Sequence, residues 1–196
     1  GLSSSTFDKN IAAAISQSQL QIVDFRSSKE CTHLKNIHHG GAQDVDFNPN
    51  REHVLVTTGN DRTAKLWDLR NASSPVRVLY GHAHWVTCGK YNPIHDQLLM
   101  TGGVDNVVNL WRVASMADTP WFGNTSATSG CEENHEDANG EIEPPDVRAK
   151  VFDQHEDSVC DVAWSYADPW VACSLSFDGR VVLNKVPSTE KYKILL

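Results

Sequence analysis

The sequence has few basic residues and no long apolar run. Its 196 residues include 17 lysines and arginines against 25 aspartates and glutamates, so the formal net charge is −8. No cluster of basic side chains is present that could neutralise phosphate groups, and we therefore expect no nucleic-acid partner. Because no stretch is long and apolar enough to cross a bilayer, we also expect no direct membrane insertion.

Cysteine pairs and catalytic motifs are also missing. The five cysteines are scattered and include no Cys-x-x-Cys pair, which is typical of reduced thiols in the cytosol. We therefore expect a cytoplasmic protein with no zinc site. The sequence has no Gly-x-Ser-x-Gly elbow, no His-Glu-x-x-His motif and no glycine-rich phosphate loop. These absences predict a protein that is not an enzyme, with no cofactor and no small-molecule substrate.

A hairpin pattern that recurs at a fixed period is the main positive feature. Residues 54–58 are β-branched and apolar, a Gly-Asn-Asp turn signal follows, and a second alternating run ends in Trp-Asp. The same pattern returns over residues 98–112. Trp67 and Trp111 are separated by one full period (111 − 67 = 44). A period of this length predicts a repeat architecture built from hairpins.

Three copies of the repeat carry a histidine, a serine or threonine, and an aspartate at matching positions, with 23 residues from histidine to aspartate. The sets are His38, Thr57, Asp61 and Trp67; His82, Thr101, Asp105 and Trp111; and His155, Ser174 and Asp178, with Asn184 at the tryptophan position. This repeat resembles the WD40 β-propeller, whose blades have four antiparallel strands. The resemblance implies that each set forms the hydrogen-bonded tetrad of that family.

These sets could be mistaken for Ser-His-Asp catalytic triads. A catalytic site would not be repeated in one blade after another, so we favour a structural role for them. A buried imidazole that pairs with a carboxylate and a hydroxyl leaves few buried polar atoms without a partner.

The period divides the chain into five parts, and the predicted fold class is all-β. The parts are a degenerate partial blade (1–36), two WD40 blades (37–80 and 81–114), an acidic insertion (115–148) and a last WD40-like blade (149–196). In the first part, Gln17 and Val23 replace the turn aspartate and the tryptophan, and the first strand is missing or weak. Residues 191–196 are expected to form a closing strand. We expect a partial propeller of about three to four blades, the C-terminal half or a fragment of a ring of about seven.

The acidic insertion breaks the period, because Asp105 and Asp178 lie further apart than one repeat (178 − 105 = 73). Residues 114–147 carry eight acidic side chains and no lysine or arginine. Such a composition cannot bury enough apolar surface to become ordered, so we predict a disordered loop between blades. It could be a solvated spacer or could attract a basic partner, and both interpretations stay open.

Several segments resemble a narrower family, the EARP and GARP complex-interacting proteins, also called the tumour-suppressing subtransferable candidate family. The segments are AQDVDFNPN (42–50), WDLRNASSPV (67–76), HDQLLMTGG (95–103), HEDSV through SFDGRVV (155–182) and the terminal KYKILL. The resemblance is to the C-terminal half of that family. It implies a non-enzymatic adaptor that binds subunits of vesicle-tethering complexes, peripherally at endosomes and the trans-Golgi network. The implied roles are endosomal recycling, retrograde transport and dense-core vesicle sorting.

Three side chains are candidates for contact with a partner. Trp85 and His84 lie in a loop where the other blades have Gly41 and Ser158, although a loop tryptophan can also fold over its own blade. Arg70 completes a Trp-Asp-x-Arg motif that resembles the one by which WD40 substrate receptors dock on a cullin-RING ubiquitin ligase adaptor. That alternative function requires Arg70 to be exposed and free of any carboxylate in its own chain.

Overall fold

The structure, a computed structural model, describes residues 1–26, 29–117, 135–136, 142–143 and 146–195. Most of the regular structure in these ranges is β-strand, arranged in four antiparallel sheets of three or four strands that follow one another along the chain, with one further two-stranded hairpin. The sheets do not close into a ring. The prediction of an all-β partial propeller is therefore confirmed.

Each sheet is formed by antiparallel strands taken in sequence order. The first contains β1 (Leu2–Ser4), β2 (Ile11–Ser16), β3 (Gln19–Asp24) and β4 (Lys29–Lys35). The second contains β5 (Ala42–Phe47), β6 (Val54–Gly59), β7 (Thr63–Asp68) and β8 (Arg77–Tyr80). The third contains β9 (Val86–Tyr91), β10 (Leu98–Gly103), β11 (Val108–Val113) and, after a short hairpin of β12 (His135–Glu136) and β13 (Ile142–Glu143), β14 (Asp146–Phe152). The fourth contains β15 (Val159–Trp164), β16 (Val171–Ser176) and β17 (Val181–Lys185), and α1 (Ser188–Leu195) follows it.

The turn between the two central strands has the same backbone conformation in the last three sheets. Arg62 and Asn106 have φ of 66°, and Gly179 at the matching position has φ of 78°. Only glycine adopts this left-handed region without a steric cost. The hydrogen bonds of the neighbouring aspartate stabilise the turn, since Asp61 Oδ1 accepts from both the backbone and the hydroxyl of Thr63.

Apolar side chains between neighbouring sheets form three core clusters. Leu20 of the first sheet packs with Val45 of the second, and Leu66 of the second packs with Trp111 of the third. The third cluster joins the last two sheets through residues such as Leu110. Because each sheet buries one face against the next, the order of the sheets in space follows their order in the sequence.

The first sheet has all four strands, which differs from the expected partial blade. β1 is only three residues long, and it pairs with Ala12–Ala14 of β2. The hydroxyl of Ser3 donates to Asp46 Oδ1 of the second sheet at 3.1 Å, which links this polar strand to its neighbour. The hydrophobic pattern did not reveal β1 because side-chain hydrogen bonding, rather than apolar burial, fixes its position.

The acidic insertion joins two strands of one sheet, so the prediction that it lies between blades is wrong. β14 pairs with β11 along the edge of the third sheet, and it therefore does not belong to the last blade. Asp146 anchors the start of β14, because its carboxylate accepts hydrogen bonds from the backbone and hydroxyl of Ser115 and from Arg77. Most of the insertion lies outside the described residues, and its disorder stays a prediction.

The expected closing strand at residues 191–196 is also wrong, because residues 188–195 form α1. The helix starts directly after Pro187, whose carbonyl accepts from Lys191 N, and proline is favoured at helix starts. Glu190 is buried one turn before Ile194, which packs against the third cluster, whereas Tyr192 is exposed. No helix within the described ranges is long and apolar enough to cross a membrane.

The fourth sheet leaves an apolar face uncovered. Val181 and Leu183 of β17 are 64% and 68% exposed, while the matching Val108 and Leu110 of the third sheet are fully buried. Leu175 of β16 is also exposed on this sheet. In the first three sheets this face is covered by the next sheet, and the described residues contain no sheet that covers the fourth.

Candidate interaction surfaces and buried tetrads

The first predicted tetrad is brought together between β6, β7 and the loop before β5. His38 Nδ1 lies 2.8 Å from Asp61 Oδ1, and His38 Nε2 lies 2.8 Å from Thr57 Oγ1. The indole of Trp67 donates to the same hydroxyl oxygen at 2.9 Å. Because a carboxylate only accepts, Nδ1 carries the proton of a neutral His38, and the Thr57 hydroxyl donates to Nε2.

The second tetrad repeats this geometry in the third sheet. His82 Nδ1 lies 2.9 Å from Asp105 Oδ1, and His82 Nε2 lies 2.8 Å from Thr101 Oγ1. Trp111 donates to the Thr101 hydroxyl at 2.9 Å. The second carboxylate oxygen of Asp105 accepts from the backbone of Ala83, so this aspartate also fixes the loop that carries the histidine.

In the fourth sheet an asparagine takes the place of the tryptophan. His155 Nδ1 lies 3.2 Å from Asp178 Oδ2, and His155 Nε2 lies 2.7 Å from the Ser174 hydroxyl. Asn184 Nδ2 donates to that hydroxyl at 2.9 Å, as the indole does in the other two sets. Asn184 therefore supplies an N–H donor in place of the indole, from a smaller side chain. Its position in the repeat, which matches that of the tryptophans, is what indicates this role in the sequence.

Burial and hydrogen bonds together set the protonation of the first tetrad. Burial lowers the pKa of His38, although the hydrogen bond to Asp61 acts in the opposite direction. For Asp61, burial acts to raise the pKa, but hydrogen bonds from Lys65, Thr63 and His38 outweigh it and hold the pKa well below its usual range. The pair is therefore a neutral imidazole beside an ionised carboxylate.

The tetrad hydroxyls are not placed to act on a substrate. Thr57 and Thr101 are fully buried and Ser174 is 1% exposed, so solvent does not reach these oxygens. Each hydroxyl already bonds both to its histidine and to an indole or amide donor. Among the residues that the structure describes, no three His, Cys, Asp or Glu side chains are grouped so that they could hold a metal ion.

The loops that carry the tetrad histidines and the turns that carry the tetrad aspartates lie at the same end of the strands. We call this end the tetrad end. The interaction candidates Trp85 and His84 lie there. Trp85 is 47% exposed, and its ring packs at a tilt on His84 with centroids 5.2 Å apart. The carbonyl of Trp85 accepts from Val104 N of the neighbouring turn. The loop backbone is therefore fixed while about half of the indole remains accessible to a partner.

Arg70 lies at the opposite end of the strands, which we call the Arg70 end. Val54 and Asp68 pair across β6 and β7 at this end, whereas Ala42 pairs with Gly59 at the tetrad end. Arg70 Nε and Nη2 both donate to Asp68, the shorter contact being 2.6 Å, and this bond lowers the pKa of the Asp68 carboxyl to about 2. The arginine is exposed but paired, so it fails one of the two conditions for ligase docking.

A cluster of charged side chains on β5 and β9 was not predicted from the sequence. Asp46 of β5 accepts from Tyr91 N of β9 at 2.9 Å, and Asp44 bonds to Lys90 Nζ at 2.8 Å. Burial raises the pKa of Asp46 to about 6, although Lys90 acts to lower it. Aspartate alternates with apolar residues in β5, and this pattern could have indicated the charged cluster. It was not predicted because polar residues in a strand usually face solvent.

Two known protein families match this chain, each over a different range of residues. The family described as "EIPR1 beta-propeller" matches residues 3–111, and the family described as "WD domain, G-beta repeat" matches residues 147–183. The first match covers more than half of the chain and includes the first two tetrads.

Individual relatives are similar along nearly the whole chain. "EARP and GARP complex-interacting protein 1" of Rattus norvegicus is 41% identical over 187 residues, which is 94% of this chain and 48% of the relative. The protein of the same name from Homo sapiens is 40% identical over 88% of this chain and 45% of its own length. "WD repeat-containing protein DWA2" of Arabidopsis thaliana is 35% identical over 91% of this chain and 47% of its own length. The chain thus spans about half the length of these relatives.

Proposed function

Because the chain belongs to the EIPR1 beta-propeller family, we propose that it is a non-catalytic scaffold that binds the EARP and GARP complexes. The observation that carries the proposal is the similarity, along nearly the whole chain, to relatives named for interaction with those complexes. The partners would be protein subunits of vesicle-tethering complexes. Nucleic acids, small-molecule substrates and cofactors have no part in this function.

The architecture favours recognition by a rigid scaffold. The sheets bury their apolar faces against one another, and the loops at both ends are tied down by backbone and carboxylate hydrogen bonds. A partner that binds such loops does not have to order them first, so less free energy is lost on association. The buried tetrad hydroxyls support the non-catalytic part of the proposal, since no substrate reaches them.

Two separate surfaces are candidates for partner contact. Trp85 with His84 lies at the tetrad end, and Arg70 lies at the other end of the strands. A half-exposed tryptophan on a fixed loop is the side chain most suited to act as an anchor. We assign Trp85 the larger contribution, because Arg70 is already engaged by Asp68.

The cellular part of the proposal follows from the partners. A scaffold for these complexes would be a cytoplasmic protein, peripheral at the trans-Golgi network and endosomes. It would support endosomal recycling, retrograde transport and dense-core vesicle sorting through the tethering complexes that it binds.

Affinity capture from cell lysate, followed by mass spectrometry, tests the proposal. We expect the chain to recover EARP and GARP subunits and the Trp85→Ala variant to recover less of them. Tyr166→Ala is the matched control, because Tyr166 is 85% exposed in a different loop. Recovery of a cullin-ligase adaptor without tethering subunits would contradict the proposal and would favour the substrate-receptor alternative.

A further inference from the structure

A groove lies between the first and second sheets at the Arg70 end. Its outer part has a volume of about 450 Å³ and is lined by Phe7, residues 50–54 and Arg70. A second hollow of about 250 Å³ is also lined by Glu52, His53 and Arg70 and continues towards the core. The two hollows share these three lining residues and therefore adjoin each other, and we call them together the Arg70 groove.

The Arg70 groove has an apolar floor and one exposed aromatic side chain. Phe47 and Ile22 line the inner hollow and are almost fully buried, and Leu69 lines it as well. Phe7 lines the outer hollow and is 51% exposed. An apolar side chain of a partner could therefore leave water by packing against Phe7, at a favourable free energy proportional to the apolar area covered.

Two arginines give the groove its charge. The Arg51 side chain makes no hydrogen bond or ion pair with any residue that the structure describes. Arg70 uses Nε and Nη2 for Asp68, so Nη1 still has its donors for a partner. Among the residues that the structure describes, Glu52 is the one acidic side chain of the lining, and its Oε2 lies 3.9 Å from His53 Nε2.

The groove complements an acidic segment through Arg51 and the remaining donors of Arg70. The formal net charge of −8 comes from the acidic insertion, since residues 114–147 carry eight acidic side chains and no lysine or arginine, and the rest of the chain is balanced (17 basic against 25 − 8 = 17 acidic). Asp68 already offsets the charge of Arg70, whereas Arg51 has no carboxylate partner among the residues that the structure describes, so Arg51 is the charge that is available to a partner. An acidic segment that enters the groove therefore meets an arginine to which no carboxylate of the described chain is bound.

We propose that the Arg70 groove binds a short acidic segment of a protein partner, whose carboxylates pair with Arg51 and Arg70 while an apolar side chain packs on Phe7. Guanidinium groups suit this role because they bind carboxylates through several donors at once. The choice of a protein as the partner rests on the proposed function, but the binding itself is measurable without any tethering complex.

Fluorescence anisotropy with a defined peptide tests the proposal. The probe is a short fluorescein-labelled peptide in which glutamate alternates with leucine, and the comparison peptide has lysine in place of each glutamate. We expect the glutamate peptide to bind and the lysine peptide not to bind. Arg51→Gln and Arg70→Gln should each weaken binding by about tenfold, because each removes charge-assisted hydrogen bonds. Phe7→Ala should weaken it as well, and added salt should lower the affinity.

The matched control is Arg62→Gln, since Arg62 is an exposed arginine in a turn at the tetrad end. Equal binding of both peptides, or unchanged affinity in Arg51→Gln and Arg70→Gln, would overturn the proposal. Binding to vesicles that contain phosphatidylserine, without binding to the glutamate peptide, would assign the groove to a lipid surface and would overturn it too. Recovery of tethering subunits together with no peptide binding would leave the scaffold function intact and reject only this site.

Arg51→Gln remains informative even if Phe7→Ala fails to fold, because the Arg51 side chain makes no hydrogen bond or ion pair with the described residues whose loss could destabilise the fold. Thermal unfolding of each variant identifies such a failure before the affinities are compared.

Discussion

At the scale of single residues, the tetrads are buried polar networks in which each group depends on the others. Burial of a histidine without a partner costs free energy, and the aspartate, the hydroxyl and the donor beyond it remove that cost. Asn184 shows that the network needs a donor at the last position rather than an indole. The requirement is therefore chemical and does not depend on one residue type.

Removal of a tetrad carboxylate should destabilise the fold. We expect Asp61→Ala and Asp105→Ala each to lower the free energy of unfolding by about 2–3 kcal/mol, because a buried imidazole loses its acceptor. Urea unfolding measures the change, with the exposed Asp153→Ala as a control. Unchanged stability in both tetrad variants would contradict a structural role for these sets.

Asp46 should make stability depend on pH. Its pKa of about 6 lies above its ordinary value of 3.8, so its contribution to stability is present below about pH 4 and is lost as the pH rises through 6. We expect the stability of the wild type, measured against Asp46→Asn, to fall by about 2–3 kcal/mol between pH 4 and pH 7. Urea unfolding across this range measures the difference. Parallel curves for the two proteins would show that Asp46 ionises normally.

At the scale of elements, the hairpins were predictable and two other elements were not. Residues 54–68 alternate, end in Trp-Asp and recur, so their strands and turns follow from the sequence. The sequence does not show to which sheet β14 belongs, because the spacing of motifs does not indicate which strand has an unpaired edge. The last residues form a helix because Pro187 and the buried contacts of Glu190 outweigh a short apolar run that suits strand or helix equally.

The tetrad pairings could likewise be predicted from the sequence, whereas the surface groove could not. The spacing of His38, Thr57 and Asp61 places them together once the period is recognised. The Arg70 groove depends on Phe7, which lies in the loop between β1 and β2 of the first sheet, whereas Arg70 follows β7 of the second sheet. Contacts of this kind depend on how two sheets pack, which a repeat pattern alone does not specify.

The turn after the tetrad aspartate gives a test of backbone preference. Gly179 has φ of 78° and a Cβ placed there would meet nothing within 4 Å, so Gly179→Ala has a conformational cost only. We expect this variant to lose about 1 kcal/mol of stability and Arg62→Gly at the matching position to gain up to about 1 kcal/mol. Thermal unfolding compares the two. A loss in Arg62→Gly would show that the arginine side chain stabilises its turn.

At the scale of the whole molecule, the uncovered face of the fourth sheet is the main feature. Val181 and Leu183 occupy positions that the other sheets bury, and large exposed apolar patches promote association. We expect the chain to self-associate as its concentration rises. Leu183→Lys should shift it towards the monomer, because a charge on that face opposes burial, whereas Lys185→Arg should not. Sedimentation velocity measures the distribution, and a wild-type chain that stays monomeric at every concentration would contradict this expectation.

The proposed function would use surfaces at both ends of the strands. The tetrads fix the loop that carries Trp85, and the packing of the first two sheets creates the Arg70 groove at the other end. A tethering complex could therefore be held at one end while a second segment binds at the other.

The most direct test of the scaffold function is the binding of purified EARP complex to the immobilised chain, measured by biolayer interferometry beside Trp85→Ala and Tyr166→Ala. We predict saturable binding that Trp85→Ala weakens and Tyr166→Ala leaves unchanged. An absence of binding to EARP and to GARP, with a chain that unfolds cooperatively, would contradict the scaffold function proposed for this chain.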